Sequence, residues 1–131
     1  MRTVLVDDDY ISVFLTEKLL KREGFAEDMC SFQSPEKALA HVQQAIPNEP
    51  PDLILLDLNM PVLSGWDFLE ALKPYESQLT GRCFIYILTS SLAPSDTAKA
   101  REFPLVVSLI HKPLDSIQIH AIHAHVAESQ R

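Results

Sequence analysis

The sequence contains few cysteines and few basic residues, and it has no long apolar run. Cys30 and Cys83 are the only cysteines; they form no C-x-x-C spacing and no secretory segment precedes them, which predicts reduced core residues in a cytoplasmic protein. The 11 Lys and Arg against 18 Asp and Glu give a net charge of −7, which argues against a nucleic-acid surface or an anionic membrane as partner. No apolar run approaches the roughly 18 residues of a membrane span.

The sequence does contain a buried-strand pattern that ends in a carboxylate. With 131 residues and 47% hydrophobic content, the chain is predicted to form one domain, residues 1–131. Residues 53–56 are all apolar, which is typical of a strand covered on both faces. Asp57 follows, and Pro61 and Gly65 require a turn before the next helix. We therefore predict that Asp57 lies at the carboxyl edge of a parallel sheet, although an aspartate that only caps a turn has the same local pattern.

The rest of the chain alternates between strand and helix patterns. The predicted strands cover residues 3–6, 25–32, 53–56, 84–88 and 105–110. The apolar positions of the first and last helices are Ile11, Phe14, Leu15, Leu19, Ile117, Ile119, Ile122 and Val126. The fourth helix has few large apolar residues from Thr97 to Phe103, so we expect it to be the least firmly anchored.

Five strand-helix repeats predict an α/β fold with three layers. Right-handed crossovers make all five strands parallel, with helices on both faces. In the flavodoxin-like order 2-1-3-4-5, the third strand lies between the first and the fourth, each about 4.8 Å away. The polar residues that follow the strands then meet at one edge. We expect Asp57 to lie beside Asp7 and Asp8 on one side and Thr89 on the other. Lys112 lies two strands away, and its long side chain can reach Asp57.

This set of side chains suits phosphoryl transfer to a carboxylate. Carboxylates about 4 Å apart repel by about 4 kcal/mol per pair at an effective dielectric of about 20, so a bound cation is expected. Mg²⁺ takes oxygen ligands and bridges carboxylates to phosphoryl groups. The reaction needs a nucleophile, a metal and donors that hold the remaining charge. Asp57 is the predicted nucleophile, Asp7 and Asp8 the metal site, and Thr89 and Lys112 the donors.

Four motifs in this order resemble the receiver domain of two-component response regulators. They are Asp7-Asp8 after the first strand, Asp57-x-Asn59-Met60-Pro61 with Gly65 downstream, Leu88-Thr89-Ser90 after the fourth strand, and Lys112-Pro113 after the fifth. The resemblance spans essentially the whole chain. The stretch from Asn59 to Trp66 is similar to that of receivers that stand alone.

The resemblance implies a phosphorylation-dependent signalling switch rather than an enzyme, with at most self-phosphorylation from small donors and self-dephosphorylation. A histidine kinase or histidine phosphotransfer protein would phosphorylate Asp57. Mg²⁺ would be held by Asp8, Asp57 and the Asn59 carbonyl, with Asp7 acting partly through water. The resemblance also implies a cis peptide bond before Pro113, and an output face of fourth helix, fifth strand and fifth helix that controls an unknown partner.

One position departs from the family pattern. Many receivers have Tyr or Phe three residues before the lysine of the fifth strand, as a switch residue coupled to the threonine, whereas this chain has Leu109. The usual coupling between Thr89 and an aromatic ring therefore does not carry over, while phosphorylation of Asp57 is unaffected. Packing and backbone movement would have to transmit any conformational change.

Several other residues have a structural explanation. Asp9 is expected to cap the first helix, and Trp66 to pack. His120 and His123 share a helix face, but no carboxylate or cysteine completes a metal set and His125 points elsewhere. We therefore expect no metal site at these histidines.

Two other functions remain open from the sequence. Asp7-x-Asp9 fits the nucleophile motif of haloacid-dehalogenase-type hydrolases, which also use Mg²⁺ and an aspartyl phosphate, although no cap domain is inserted. A phosphorylation-independent interaction module on the same fold would have lost one or more of Asp8, Asp57 and Lys112, and all are present. A flavin carrier is disfavoured because no Ser/Thr/Gly-rich phosphate loop follows the first strand.

Overall fold

The structure, a computed structural model, describes residues 1–130, in which strands alternate with helices. The strands are β1 (Thr3–Val6), β2 (Met29–Phe32), β3 (Leu53–Asp57), β4 (Phe84–Thr89) and β5 (Val106–His111). The helices are α1 (Tyr10–Arg22), α2 (Pro35–Ala45), α3 (Gly65–Leu72), α4 (Glu76–Leu79), α5 (Pro94–Ala100) and α6 (Ser116–Ser129), with a 3-10 turn at Lys73–Tyr75 between α3 and α4.

All strand pairs are parallel, and the sheet order is β2-β1-β3-β4-β5. The predicted flavodoxin-like fold is therefore confirmed. One apolar core joins the sheet to α2, α3 and α5, and a second joins its other face to α1 and α6. β3 is central and fully buried, as its unbroken apolar sequence predicts. Within residues 1–130, no helix is long and apolar enough to cross a membrane.

Most helices begin at a side-chain cap. The Asp9 carboxylate accepts a hydrogen bond from the Ile11 N–H, so the prediction that Asp9 caps α1 is confirmed. Ser34 caps α2, and capping boxes begin α3 at Ser64 and α6 at Asp115. The residue before α5 is Ala93, which makes no side-chain cap bond. α5 therefore lacks the N-terminal side-chain cap that α1, α2, α3 and α6 have.

β2 is shorter than predicted, and one cysteine prediction is wrong. Gly24 adopts a φ of 82°, and the Phe25 N–H donates to the Leu20 carbonyl, which binds this segment to the end of α1 rather than to the sheet. Strand pairing then starts only at Met29. Because β2 is an edge strand, Cys30 is exposed, whereas Cys83 is buried as predicted.

The apolar positions predicted for the first and last helices are only partly buried. In α1 the sheet covers Val13, Thr16, Leu19 and Leu20, while Tyr10, Ile11, Phe14 and Leu15 are exposed. In α6, Ile119, Ile122 and Val126 are buried, but Ile117 is exposed. Both faces of α1 carry apolar residues, so their spacing alone did not determine which face packs on the sheet.

The structure also places the segment Thr97–Phe103 differently from the prediction of one helix. α5 ends at Ala100, and Phe103 lies in the turn that follows, where it is 3% exposed. Ala100 is the one buried residue among the seven of α5. This agrees with the expectation of a weakly anchored helix.

Candidate functional site

The carboxyl edge of the sheet brings the predicted site residues together. Asp57 is the last residue of β3 and is 6% exposed. Asp7 directly follows β1, whose Val6 pairs with Leu56, so Asp7 and Asp57 lie on adjacent strands. Thr89 ends β4 on the other side and is also buried. The parallel register therefore produces the arrangement expected from the strand order.

Three carboxylates form a cluster at this edge. One oxygen from each of Asp7, Asp8 and Asp57 lies within 4.8 Å of the others. Asp7 and Asp57 are buried, whereas Asp8 is accessible to solvent. Oxygen ligands at this spacing, with an accessible side for water, fit a hard cation such as Mg²⁺. Within residues 1–130, no other group of three His, Cys, Asp or Glu side chains has this proximity.

Lys112 neutralises part of this charge. Its Nζ donates a hydrogen bond of 2.6 Å to Asp7 Oδ2 and lies 3.3 Å from Asp57 Oδ1. Burial opposes the charged form of Lys112, but the hydrogen bond and charge of Asp7, together with Asp57, raise its pKa. Lys112 is therefore charged at neutral pH and joins two of the carboxylates.

The pKa of Asp57 is raised above the usual value of an aspartate. Burial, with the charges of Asp7 and Asp8 adding to it, raises the pKa of Asp57 to about 6, although Lys112 acts in the opposite direction. At neutral pH the carboxylate is therefore mostly ionised and is poorly solvated. Such a carboxylate benefits from a further cation and can act as a nucleophile.

Both oxygens of Asp7 already have partners. Oδ1 accepts the Asp9 N–H at 3.0 Å and Oδ2 accepts from Lys112. These bonds fix the orientation of Asp7 at the start of the β1–α1 loop. Asp9 itself is turned toward α1 as its cap, away from a joint role with Asp7.

Thr89 is held by the loop that follows β4. Its Oγ1 donates to the Ser91 carbonyl at 3.0 Å and accepts the Ser91 N–H at 3.2 Å. The Lys112 N–H donates to the Thr89 carbonyl at 2.8 Å, and the peptide bond between Lys112 and Pro113 is cis. The hydroxyl is thus engaged with its own loop and can contact an added group only by exchanging these bonds.

Gly65 contacts the backbone of Asp57, a contact that neither the predicted turn nor the motif containing Gly65 indicated. The Gly65 N–H donates to the Leu58 carbonyl at 2.9 Å. A Cβ at Gly65 would lie 2.5 Å from the Asp57 carbonyl oxygen and 2.9 Å from Leu58 Cα. The start of α3 therefore packs directly on the end of β3, which only glycine permits.

The remaining predicted residues lie around this centre. Asn59 is exposed in the β3–α3 loop, two residues beyond Asp57. Leu109 is half-buried on the edge strand β5. The histidines of α6 have other contacts: His120 Nε2 lies 2.9 Å from Glu23 Oε1, and His123 stacks on Phe25.

Comparison with known proteins identifies the family of this arrangement. Residues 3–124 match the model of the response regulator receiver domain. A comparison with curated proteins finds no match.

Solved structures agree with this match. A two-component response regulator from Cytophaga hutchinsonii has 26% identity and a TM-score of 0.88, with 97% of this chain and 96% of that chain covered. A response regulator receiver protein from Dyadobacter fermentans has 27% identity and a TM-score of 0.84, with 97% and 98% covered. Chemotaxis protein CheY4 of Vibrio cholerae has 25% identity and a TM-score of 0.76, with 96% and 98% covered. The chain belongs to the response regulator receiver domain family of two-component signalling.

Proposed function

We propose that Asp57 accepts a phosphoryl group from a histidine kinase or a histidine phosphotransfer protein, and that this modification switches the chain between two signalling states. The observation that carries the proposal is the cluster of Asp7, Asp8 and Asp57 within 4.8 Å, in which Lys112 joins Asp7 to Asp57. A carboxylate nucleophile, a place for a cation and a fixed ammonium group are the parts that this reaction needs.

In the transfer, an ionised oxygen of Asp57 attacks the phosphorus of the donor. The new O–P bond forms as the N–P bond to the donor imidazole breaks, and the imidazole leaves with the electron pair. Lys112 Nζ, 3.3 Å from Asp57 Oδ1, is close enough to bind an oxygen of the added group. Thr89 can exchange its bond to the Ser91 carbonyl for a bond to another of these oxygens.

Asp7, Asp8, Asp57 and the Asn59 carbonyl are the groups that would hold Mg²⁺. The metal, when bound, neutralises charge that develops on the phosphoryl oxygens. Asp7 and Asp57 then contribute buried negative charge, while the solvent-accessible Asp8 leaves room for water ligands. The chain itself carries out no turnover on a separate substrate in this proposal.

An exposed apolar surface on α1 supports a protein as the phosphoryl donor. We define the α1 surface as Tyr10, Ile11, Phe14 and Leu15, which are between 48% and 67% exposed. α1 begins three residues after Asp7, at the same edge of the sheet as Asp57. A partner that packs on these side chains is therefore held beside the acceptor carboxylate.

A substitution in the α1 surface distinguishes partner binding from phosphoryl transfer itself. Phe14→Ala should slow transfer from a phosphorylated protein donor, while phosphorylation by acetyl phosphate stays unchanged. Ile117→Ala, which also removes an exposed apolar side chain, is the matched control. An equal loss with both donors would mean that the substitution damages the site rather than partner binding.

The surface formed by α5, β5 and α6 is proposed to change on phosphorylation and so to control a downstream partner. A groove of about 270 Å³ lies between α5 and β5, lined by Leu92, Ala100, Val107 and Leu109 among others. Leu109 has no side-chain donor, so movement of Thr89 and its loop can change this groove only through packing and the backbone.

Intact mass measurement tests the acceptor. With acetyl phosphate and Mg²⁺, the wild type should gain one phosphoryl group and Asp57→Asn none. Asp67→Asn, an exposed capping aspartate of α3, is the control and should be labelled normally. Equal labelling of Asp57→Asn would overturn the assignment, and no labelling of the wild type by any donor would favour the phosphorylation-independent module.

The contacts of Asp7 and Asp9 disfavour the alternative of a haloacid-dehalogenase-type hydrolase. Asp9 caps α1 and Asp7 is bound by Lys112, so Asp7-x-Asp9 does not present a pair of free carboxylates. Turnover of small phosphoesters by the wild type would revive it.

A further inference from the structure

Trp66 connects α3 to α5 and to the turn after it. Its ring stacks on the Phe103 ring with centroids 5.9 Å apart and an interplanar angle of 22°. Lys99 Nζ of α5 lies 5.0 Å from the centroid of the indole. Lys73 Nζ, at the end of α3, lies 4.9 Å from the centroid of Phe103. The cations and rings form an aromatic cluster of Trp66, Phe103, Lys73 and Lys99.

The same tryptophan is linked to the Asp57 backbone through its neighbour Gly65. It follows Gly65, whose backbone is bonded to Leu58 and packs against the carbonyl of Asp57 without room for a Cβ. Close-packed backbone transmits displacement because it has no void to absorb it. A change at the end of β3 therefore displaces the first turn of α3, which carries Trp66.

α5 has few other interactions that would hold it in place if Trp66 shifted. Its N-terminus has no side-chain cap, and Ala100 is its one buried residue. The contact between the exposed Lys99 ammonium and the indole face, together with the Trp66–Phe103 stack, therefore helps to fix α5 on α3. A helix held in this way follows the ring when the ring moves.

We propose that the aromatic cluster couples phosphorylation of Asp57 to the position of α5, with Trp66 as the coupling residue and Lys99 as its contact on α5. The inference rests on the proposed phosphorylation of Asp57 and adds the route by which it acts in a chain with Leu109 on β5. The added phosphoryl group alters the end of β3, Gly65 passes the change to Trp66, and Lys99 carries α5 with it.

Trp66 is itself the reporter, since it is the only tryptophan in the chain. Beryllofluoride with Mg²⁺ serves as a stable mimic of the aspartyl phosphate. Its addition should change Trp66 fluorescence in the wild type and leave Asp57→Asn unchanged. It should also change amide exchange in α5, residues Pro94–Ala100.

Lys99→Met tests the coupling because it removes the cation and keeps the length of the side chain. In this variant the beryllofluoride-dependent change in α5 exchange should fall about two- to fivefold, as expected from the loss of one cation–aromatic contact. Lys99→Arg should retain the change. The matched control is Lys18→Met, which removes the Lys18 cation 5.3 Å from the Phe14 ring on α1 and should leave the response of α5 intact.

The outcome distinguishes the coupling from the phosphorylation. Each variant is also treated with acetyl phosphate, and its intact mass is measured. If Lys99→Met is phosphorylated normally and α5 responds as in the wild type, the coupling is wrong although the acceptor stands. If neither variant nor wild type is labelled at Asp57, the proposed function fails first.

Discussion

Lys112 binds Asp7, the most deeply buried carboxylate of the site, with Nζ 2.6 Å from Oδ2 and Asp7 only 1% exposed. Its distance to Asp57 is longer, at 3.3 Å. In the unphosphorylated chain the lysine therefore mainly compensates Asp7. Transfer of a phosphoryl group to Asp57 adds negative charge that competes for the same ammonium group.

Removing this lysine should destabilise the fold. Lys112→Met leaves Asp7 buried without its counter-charge and should lower the free energy of unfolding by about 3 kcal/mol in urea denaturation with EDTA. Lys112→Arg keeps the charge and should lose less. Because a bound cation replaces part of the missing charge, Mg²⁺ should stabilise Lys112→Met more than the wild type. An unchanged free energy of unfolding in Lys112→Met would contradict a compensating role.

Removing one carboxylate should have the opposite effect on the metal-free chain. Asp8→Asn relieves repulsion with Asp7 and Asp57 and should raise the free energy of unfolding by about 1 kcal/mol, a modest gain because Asp8 is accessible to water. The same variant should bind Mg²⁺ more weakly by calorimetry. Asp115→Asn, at the cap of α6, is a control outside the cluster. Lower melting with normal Mg²⁺ binding in Asp8→Asn would count against the carboxylate cluster.

Gly65 should tolerate no side chain. Gly65→Ala places a Cβ 2.5 Å from the Asp57 carbonyl oxygen, so either the start of α3 or the end of β3 must shift. We expect a loss of about 2 kcal/mol in the free energy of unfolding and slower labelling of Asp57 by acetyl phosphate. Gly81→Ala is an informative comparison, since its cost arises from a φ of 79° alone, with no neighbour within 4 Å of the added Cβ. Gly81→Ala should therefore leave labelling of Asp57 unchanged.

Acidification should weaken the contact between α6 and the segment that follows α1 through His123. This imidazole stacks on Phe25 with centroids 3.7 Å apart, and its Nε2 is buried without a hydrogen-bond partner among residues 1–130. Burial, together with the charges of the Met1 amine and His120, lowers the pKa of His123 from its usual 6.5. The unfolded chain then binds a proton more readily than the fold does, so stability falls as pH drops below about 6.5.

A variant isolates this effect. His123→Phe can stack on Phe25 but cannot be protonated, so its advantage over the wild type should grow between pH 8 and pH 5.5 in urea denaturation. Glu23 is present in both proteins and contributes a separate loss of stability at lower pH. Its pKa is lowered mainly by its hydrogen bond with His120, so this loss begins as the pH falls below 4.5, the usual pKa of a glutamate. A constant difference between the two proteins across this range would rule out the titration of His123.

Much of the site could be predicted because it depends on strand order and not on side-chain packing. Parallel strands place Asp7, Asp57 and Thr89 at one edge once their order is known. The lysine after β5 has a side chain long enough to reach that edge. Which carboxylate Lys112 binds most closely could not be predicted, since this depends on differences below one ångström between acids in the same cluster.

Local patterns were enough to predict the alternation of strands and helices, the position of Asp57 at the end of a buried strand, and the order of motifs that places the chain among receiver domains. Packing on the sheet selects which face of α1 is covered, because Val13 and Leu20, like Ile11 and Phe14, are apolar residues at helical spacing. The exposure of Cys30 follows from the edge position of β2, which depends on the strand order, and the contact of Gly65 with Asp57 depends on the path of the loop between β3 and α3.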